Sequence, residues 1–190
     1  MEKDFSIKGK RILLLYARFF GYDKIVRRKL EQMGASVFLY DARADINTVE
    51  KAIKKINPVF YYAKQKKFHK RIMKENQNVD FDFIFSNENI SKDTMIHYRE
   101  LFPKAKFVLY LDDSVANMKG VEDTFSCYDY VYSFDRKDAE TYGITHRPLF
   151  YCEEFVQAVH AANTYDVCFV GTCHSDRLGI IDRLKKSNPS

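Results

Sequence analysis

Short apolar runs alternate with helical periods along most of the chain. Residues 12–16 form a continuous apolar run, which is typical of a parallel strand covered on both faces. After Gly21, apolar residues recur at helical spacing until Gly34, and glycine commonly follows the last turn of a helix. The chain is therefore predicted to open with one strand–helix unit.

The same alternation continues to about residue 150. Because strands that alternate with helices form parallel sheets, we expect an α/β fold with a doubly wound, mostly parallel, Rossmann-like sheet and right-handed crossovers. Further strands are predicted at residues 36–40, 83–85, 107–111, 130–134 and 146–150, and helices at residues 46–56, 60–76, 92–101 and 138–142.

The last forty or so residues repeat this pattern. A helix is predicted at residues 152–162, a buried strand at residues 167–170, and a helix from Ser175 to residue 186. We expect residues 1–163 to form one domain and residues 164–190 to begin a second, truncated Rossmann-like domain. The alternative is a seventh strand added to the first sheet.

Composition narrows the class of protein. No apolar run approaches the roughly 20 residues needed to cross a bilayer, and the four cysteines lack disulfide or zinc spacing, so we expect a cytoplasmic protein with reduced thiols. The glycines form neither a G-x-G-x-x-G fingerprint nor a phosphate loop, which disfavours dehydrogenases and kinases. No cofactor and no metal is predicted. The acidic pair Asp80 and Asp82 precedes its strand, so we expect a solvated turn there.

Positive charge is concentrated in one stretch. Nine Lys or Arg residues and no acid lie from Lys51 to Lys74, in a chain with a net charge of +5. Aromatic residues are interleaved with these cations, so one interpretation is peripheral contact with the anionic inner face of the membrane. The alternative is a solvated helix face. Nucleic acid binding is not predicted, because no recognised motif accompanies the charge.

Ligands of open α/β sheets bind at the carboxyl ends of the strands. Polar and aromatic residues just past the predicted strands are therefore candidates for an acceptor cleft. They are Phe20, Gly21, Asn87, Glu88, Asp113, Ser114 and Asp135. Asp112 and Asp113 end the same strand, where a carboxylate can accept a proton from a hydroxyl or bind a sugar. The alternative is that both only cap the following loop.

The turn after the last predicted strand suits an anion. Free backbone amides and the positive end of a helix dipole meet near Gly171, and Thr172, Ser175 and Arg177 can donate to phosphate oxygens. His174 lies between them and titrates near neutrality, as a general base or phosphate donor would. The alternative is an ordinary helix start, with Ser175 as its cap and Arg177 as a surface charge.

Two segments resemble bacterial surface-polysaccharide glycosyltransferases, the spore-maturation, capsular and lipopolysaccharide biosynthesis families. The first contains Tyr-Ser-Phe-Asp at residues 132–135 and Arg-Pro-Leu-Phe-Tyr at residues 147–151. The second contains Phe-Val-Gly-Thr at residues 169–172 and His-Ser-Asp-Arg at residues 174–177. The opening strand with Phe19, Phe20 and Gly21 and the segment at residues 107–114 are also similar. The family often has an aromatic residue where this chain has Asp112.

This resemblance implies a B-type (GT-B) enzyme, in which two Rossmann domains face a cleft. Such an enzyme transfers a sugar from a nucleotide-sugar donor to a glycan or lipid-linked acceptor, without a metal. The implied diphosphate site comprises Gly171, Thr172, His174, Ser175 and Arg177, with Asp113 and His174 as the catalytic candidates. Because the second domain supplies most of the donor site in B-type enzymes, we expect weak or absent transfer by this chain alone.

Two other functions compete with this expectation. A noncatalytic binding or assembly module would explain an incomplete second domain, and its unpaired terminal strand would favour a homodimer. A two-component receiver domain is disfavoured, because its paired acids should follow the first strand, where this chain has Arg18 and Phe19.

Overall fold

The computed structural model describes residues 6–45, 47–50, 56–152, 169 and 176–187. The chain divides into two compact units, Met1–Cys152 and Glu153–Ser190. The boundary expected at residue 163 falls among residues that the structure does not describe, so it stays a prediction.

The first unit contains a six-stranded parallel sheet with helices between its strands. The strands lie side by side in the order β2-β1-β3-β4-β5-β6. They are β1 Arg11–Leu15, β2 Ser36–Tyr40, β3 Phe83–Ser86, β4 Lys106–Leu111, β5 Tyr130–Ser133 and β6 Thr145–His146. The helices are α1 Tyr22–Gln32, α2 Pro58–Asn76, α3 Lys92–Leu101 and α4 Arg136–Tyr142, and two 3-10 turns span Val115–Asn117 and Glu122–Cys127. In the second unit, α5 spans Arg177–Ser187.

Helices cover both faces of the sheet. Successive side chains of each strand point to opposite sides, so apolar strands need a covering layer on each face. Leu13 and Leu15 of β1 belong to the larger core cluster, together with Ile72 of α2 and Met95 of α3. Ile12 belongs to a second cluster, against which Leu30 of α1 packs. This arrangement confirms the predicted α/β, doubly wound, parallel fold.

Local capping explains where two helices begin. The Asn57 side chain accepts a hydrogen bond from the Val59 amide at 3.1 Å, and Pro58 occupies the first turn, so α2 begins two residues before its predicted start. Asp135 accepts hydrogen bonds from the Lys137 and Asp138 amides and starts α4.

The last strand of the sheet is much shorter than predicted. A strand was expected at residues 146–150, but β6 contains only Thr145 and His146. The Arg147 amide still donates to the Ser133 carbonyl at 2.9 Å, and the next residue is Pro148, which has no amide hydrogen to continue the ladder. The prediction was wrong because it overlooked this proline.

Several predicted elements lie largely or wholly outside the described residues: the helix at 46–56, the helix at 152–162 and the strand at 167–170. The last predicted helix is present and begins at Arg177. Within the described parts of the chain, none of the helices has the length and apolarity required to span a bilayer.

The acidic pair Asp80 and Asp82, expected in a solvated turn, lies before β3 at the amino edge of the sheet, and Asp82 is bonded there. Asp82 accepts a hydrogen bond from the Arg11 amide at 2.8 Å and forms an ion pair with Lys10 at 2.8 Å. These contacts, with Lys10 and Arg11 as the largest influences, hold the pKa of Asp82 below its usual range. The Asp82 carboxylate therefore joins the starts of β1 and β3.

Candidate functional site

A cleft of about 540 Å³ opens at the carboxyl edge of the sheet. It lies where the strand order reverses, since β1 is flanked by β2 on one side and by β3 on the other. Open α/β sheets bind ligands at this type of position. The lining residues follow β1, β2, β3, β4 and β6: Tyr16, Ala17, Phe19, Tyr22, Arg43, Asn87, Glu88, Asn89, Asp112, Asp113, Asn117, Met118, Lys119, Leu149 and Phe150.

Asn87 links the ends of three strands at the base of this cleft. Its Oδ1 accepts a hydrogen bond from the Ala17 amide after β1 at 2.9 Å, and its Nδ2 donates to Asp112 Oδ2 after β4 at 2.9 Å. Asn87 and Ala17 are each 3% exposed, so the Ala17 amide and the Asn87 side-chain oxygen satisfy each other. One buried amide therefore fixes the position of the Asp112 carboxylate.

Asp112 is the carboxylate most perturbed by the cleft. Asp112 is exposed, yet partial desolvation in the cleft raises the pKa of its carboxyl above the usual range, and the Asn87 hydrogen bond only partly opposes that shift. Tyr16, which is 2% exposed, has its own pKa raised by burial and by the nearby Asp112 charge. A neutral phenol and a carboxylate of raised proton affinity therefore lie together in the cleft.

Asp113 lines the same cleft but is engaged by its own loop. Its Oδ1 accepts hydrogen bonds from the Ser114 amide and from Asn117 Nδ2, both at 2.8 Å. These contacts stabilise the 3-10 turn that follows β4. Asp113 thus fulfils the capping role that the sequence offered as an alternative, whereas Asp112 does not.

Charged residues from the ends of β2 and β3 form one side of the cleft. Arg43 Nε lies 3.5 Å from Glu88 Oε1, and the Arg43 amide donates to Asp41 Oδ1 at 3.0 Å. The Glu88 amide in turn donates to Ser86 Oγ at 3.1 Å. This wall offers a guanidinium and a carboxylate to a bound molecule.

Aromatic residues form another part of the rim. Phe19 and Phe20 are 59% and 82% exposed, with ring centroids 4.3 Å apart, and Tyr22 makes an edge contact with Phe150 at 5.8 Å. Phe20 has a φ of 48°, a left-handed conformation that costs a non-glycine residue roughly 1–2 kcal/mol. Strain of this kind is concentrated at functional sites.

The structure brings together some of the predicted acceptor residues and separates others. Asn87, Glu88 and Asp113 line the cleft. Phe20 and Gly21 lie between the lining residues Phe19 and Tyr22, and Gly21, with a φ of 79°, begins α1. Ser114 and Asp135 are absent from the lining and bond to each other, Ser114 Oγ donating to Asp135 Oδ2 at 2.9 Å.

The predicted diphosphate site is described only in part. Gly171, Thr172, His174 and Ser175 lie outside the described residues. Arg177 is the first residue of α5, and its guanidinium carbon lies 5.8 Å from the Phe169 ring centroid.

The sequence missed several lining residues. Tyr16 was assigned to the end of the first predicted strand, and Asp112 was left out of the acceptor set because the resembling family often has an aromatic residue there. Asn117 ends the 3-10 turn after β4, and Met118 and Lys119 directly follow it; hydrophobic periodicity does not reveal this turn. The available signal was the length of the polar segment after β4. Among the described residues, no cluster of His, Cys, Asp and Glu could hold a metal ion.

Comparison with known proteins adds little to this geometry. The sequence matches no protein-family model and no curated protein. Its fold is similar to a chain in the crystal structure of the histidine kinase ThkA in complex with the response regulator protein TrrA, with a TM-score of 0.36 and 13% identity over 70% of this chain and 93% of that chain. This similarity is too weak to bear on function.

Proposed function

We propose that the cleft binds the hydroxylated acceptor of a glycosyl transfer and that this chain is a glycosyltransferase-like protein of surface-polysaccharide synthesis. The observation that carries the proposal is the pairing of Asp112 with Asn87 beside an aromatic rim. Sugars present hydroxyl groups, which carboxylates and amides bind, and apolar ring faces, which aromatic side chains cover. The cleft offers both kinds of surface across one opening.

The charge of the cleft favours an acceptor over a nucleotide. Its lining contains three acids, Glu88, Asp112 and Asp113, against two cations, Arg43 and Lys119. The net negative balance, in a chain of net charge +5, would repel a diphosphate. We therefore assign the acceptor to this cleft and keep the donor diphosphate with residues 171–177, as the resemblance implies.

Asp112 is the proposed general base. An acceptor hydroxyl oxygen would form a bond to the anomeric carbon of the donor while its proton passes to the Asp112 carboxylate. The bond between that carbon and the diphosphate oxygen breaks, and the nucleoside diphosphate leaves with the electron pair. A raised pKa strengthens Asp112 as a base, and Asn87 would hold it in position.

Calorimetric titration of the protein tests this proposal. The panel comprises short hexose and N-acetylhexosamine oligosaccharides, with uridine, guanosine and cytidine diphosphates for comparison. We expect at least one oligosaccharide to bind, and Asp112→Asn to weaken that binding about tenfold or more, because a charge-assisted hydrogen bond contributes about 1.5–3 kcal/mol. The matched control is Asp123→Asn, an acid outside the cleft lining.

The pH dependence separates the proposal from its competitor. Affinity should fall on acidification at a pH above the usual aspartate range, since Asp112 must be ionised to accept the hydroxyl proton. Saccharide binding whose affinity changes neither with pH nor in Asp112→Asn would favour a noncatalytic binding module. No saccharide binding, combined with diphosphate binding that Asp112→Asn strengthens, would refute the acceptor assignment.

A further inference from the structure

The exposed face of α2 combines cations with apolar side chains. Its opposite face is buried and includes His69, Ile72 and Met73. At 1.5 Å per residue, the helix is about 28 Å long, enough to present an extended surface. We define its outer face by Val59, Phe60, Tyr62, Lys66, Lys67, Lys70 and Lys74, all of which are exposed.

The four lysines of the outer face have no acidic partner among the residues that the structure describes. Other cations of the helix do: Lys64 pairs with Glu50, and Arg71 lies 3.5 Å from Glu75. Lysine side chains spaced three or four positions apart lie along one side of a helix. The unpaired lysines therefore form one continuous positive strip, available to an anionic partner.

Apolar side chains extend this strip at the beginning of the helix. Val59, Phe60 and Tyr62 are 67%, 68% and 62% exposed, and Ile56 just before the helix is 87% exposed. A globular surface rarely exposes so many large apolar residues in succession without a partner. The partner of this face should therefore have an apolar phase next to its negative charges.

We propose that the outer face of α2 docks on the surface of an anionic lipid bilayer. The lysines would lie against the negative headgroups while Phe60 and its neighbours enter the boundary of the acyl chains. A nucleic acid would satisfy the lysines but would leave the exposed valine and isoleucine in water. A bilayer accounts for both the lysines and the apolar side chains of the outer face.

The outer face and the acceptor cleft are distinct surfaces, and the start of α2 lies near the cleft. None of the residues that define the outer face lines the cleft. Tyr61 and Tyr62, at the start of α2, line a smaller cavity together with Glu88 and Asn89, which also line the cleft. Docking would therefore bring the cleft close to the lipid surface, but the membrane proposal does not depend on what the cleft binds.

Vesicle co-sedimentation of the full chain tests the proposal. Vesicles of phosphatidylcholine alone are compared with vesicles in which about 40% of the lipid is phosphatidylglycerol, at low and high salt. We expect binding only to the anionic vesicles, and a reduction of about 30-fold in the partition coefficient for the double variant Lys66→Gln, Lys70→Gln. The matched control is Lys104→Gln, Lys137→Gln, which removes two exposed lysines elsewhere and should leave binding unchanged.

A second variant tests the apolar half of the face. Phe60→Ser should lower the partition coefficient about tenfold, because the bilayer would bury roughly half of the phenylalanine side chain and the serine lacks that apolar surface. Circular dichroism verifies that each variant is folded. Equal loss of binding in the test and control lysine variants would overturn the proposal, as would an unchanged Phe60→Ser protein. Failure to bind anionic vesicles, with lysine-dependent binding to a single-stranded oligonucleotide, would assign the face to nucleic acid instead.

Discussion

Replacing Asn87 by alanine should destabilise the first unit more than replacing any exposed side chain of the cleft. The substitution removes the acceptor of the backbone amide of Ala17, a residue that is 3% exposed. Leaving such a donor unsatisfied costs about 1–3 kcal/mol, and the lost contact with the charged Asp112 adds roughly 1 kcal/mol. We therefore expect the free energy of unfolding to fall by about 2–4 kcal/mol.

The chain contains no tryptophan, so urea unfolding is best followed by circular dichroism and tyrosine fluorescence. Asn117→Ala is the matched control, because it removes an exposed amide that donates to Asp113 and should cost less than about 1 kcal/mol. If Asn87→Ala lies within about 0.5 kcal/mol of this control, Asn87 does not bind a buried amide and the proposed support of Asp112 fails.

The variant Asn87→Asp separates the two hydrogen bonds of this side chain. A carboxylate can still accept from the Ala17 amide, but it cannot donate to Asp112 and would place a second negative charge beside it. We expect Asn87→Asp to be destabilised at pH 7 and to recover stability as the pH falls and one of the two carboxyls binds a proton. A pH-independent loss would show that the two side chains are not in contact.

Three further predictions concern stability. Because the pKa of Asp112 is raised in the folded state, its ionised form opposes folding at neutral pH. Urea unfolding should therefore show that Asp112→Asn is more stable than the parent protein at pH 7. This difference in the free energy of unfolding should shrink as the pH falls to the usual aspartate range. Burial lowers the pKa of His69 to about 4, so its neutral form contributes fully to stability above pH 6.5. The free energy of unfolding should therefore fall by about 2 kcal/mol between pH 7 and pH 5. His69→Gln should abolish that component, and an unaltered pH profile would contradict a buried neutral imidazole. Gly34→Ala and Gly143→Ala both force alanine into positive φ, but only at Gly34 does the new Cβ come within 3.0 Å of a Lys8 side-chain carbon and 3.2 Å of its Cα. Thermal unfolding should show a loss of about 1–2 kcal/mol for Gly143→Ala and a clearly larger one for Gly34→Ala; equal losses would contradict the close approach of Lys8.

The fold was largely predictable because each central strand carries its own signal. The apolar run after Arg11 is buried on both faces, and α2 follows the cap at Asn57 and the proline after it. The last strand was overextended because apolar residues around Pro148 resemble a strand, although the proline cannot continue the ladder. Local patterns thus predicted the elements but not all of their ends.

The cleft was predictable in position but not in detail. Residues past the strand ends had to meet at one edge, and Asn87, Glu88 and Asp113 do so. Which of Asp112 and Asp113 meets Asn87 depends on the register of β3 against β4, which pairs Ser86 with Leu109, and no local pattern specifies that register. The positive φ of Phe20 was equally inaccessible, because phenylalanine has no preference for that conformation.

An NMR titration of the ¹⁵N-labelled protein with the oligosaccharide panel would test the acceptor assignment most directly. If the cleft binds the acceptor, the largest shift changes will occur at the Asn87 side-chain amide and the Ala17 backbone amide, while the Arg11 amide at the opposite edge stays unchanged. Shift changes confined to the amino edge, or changes at Asn87 produced by nucleoside diphosphates and by none of the sugars, would contradict it.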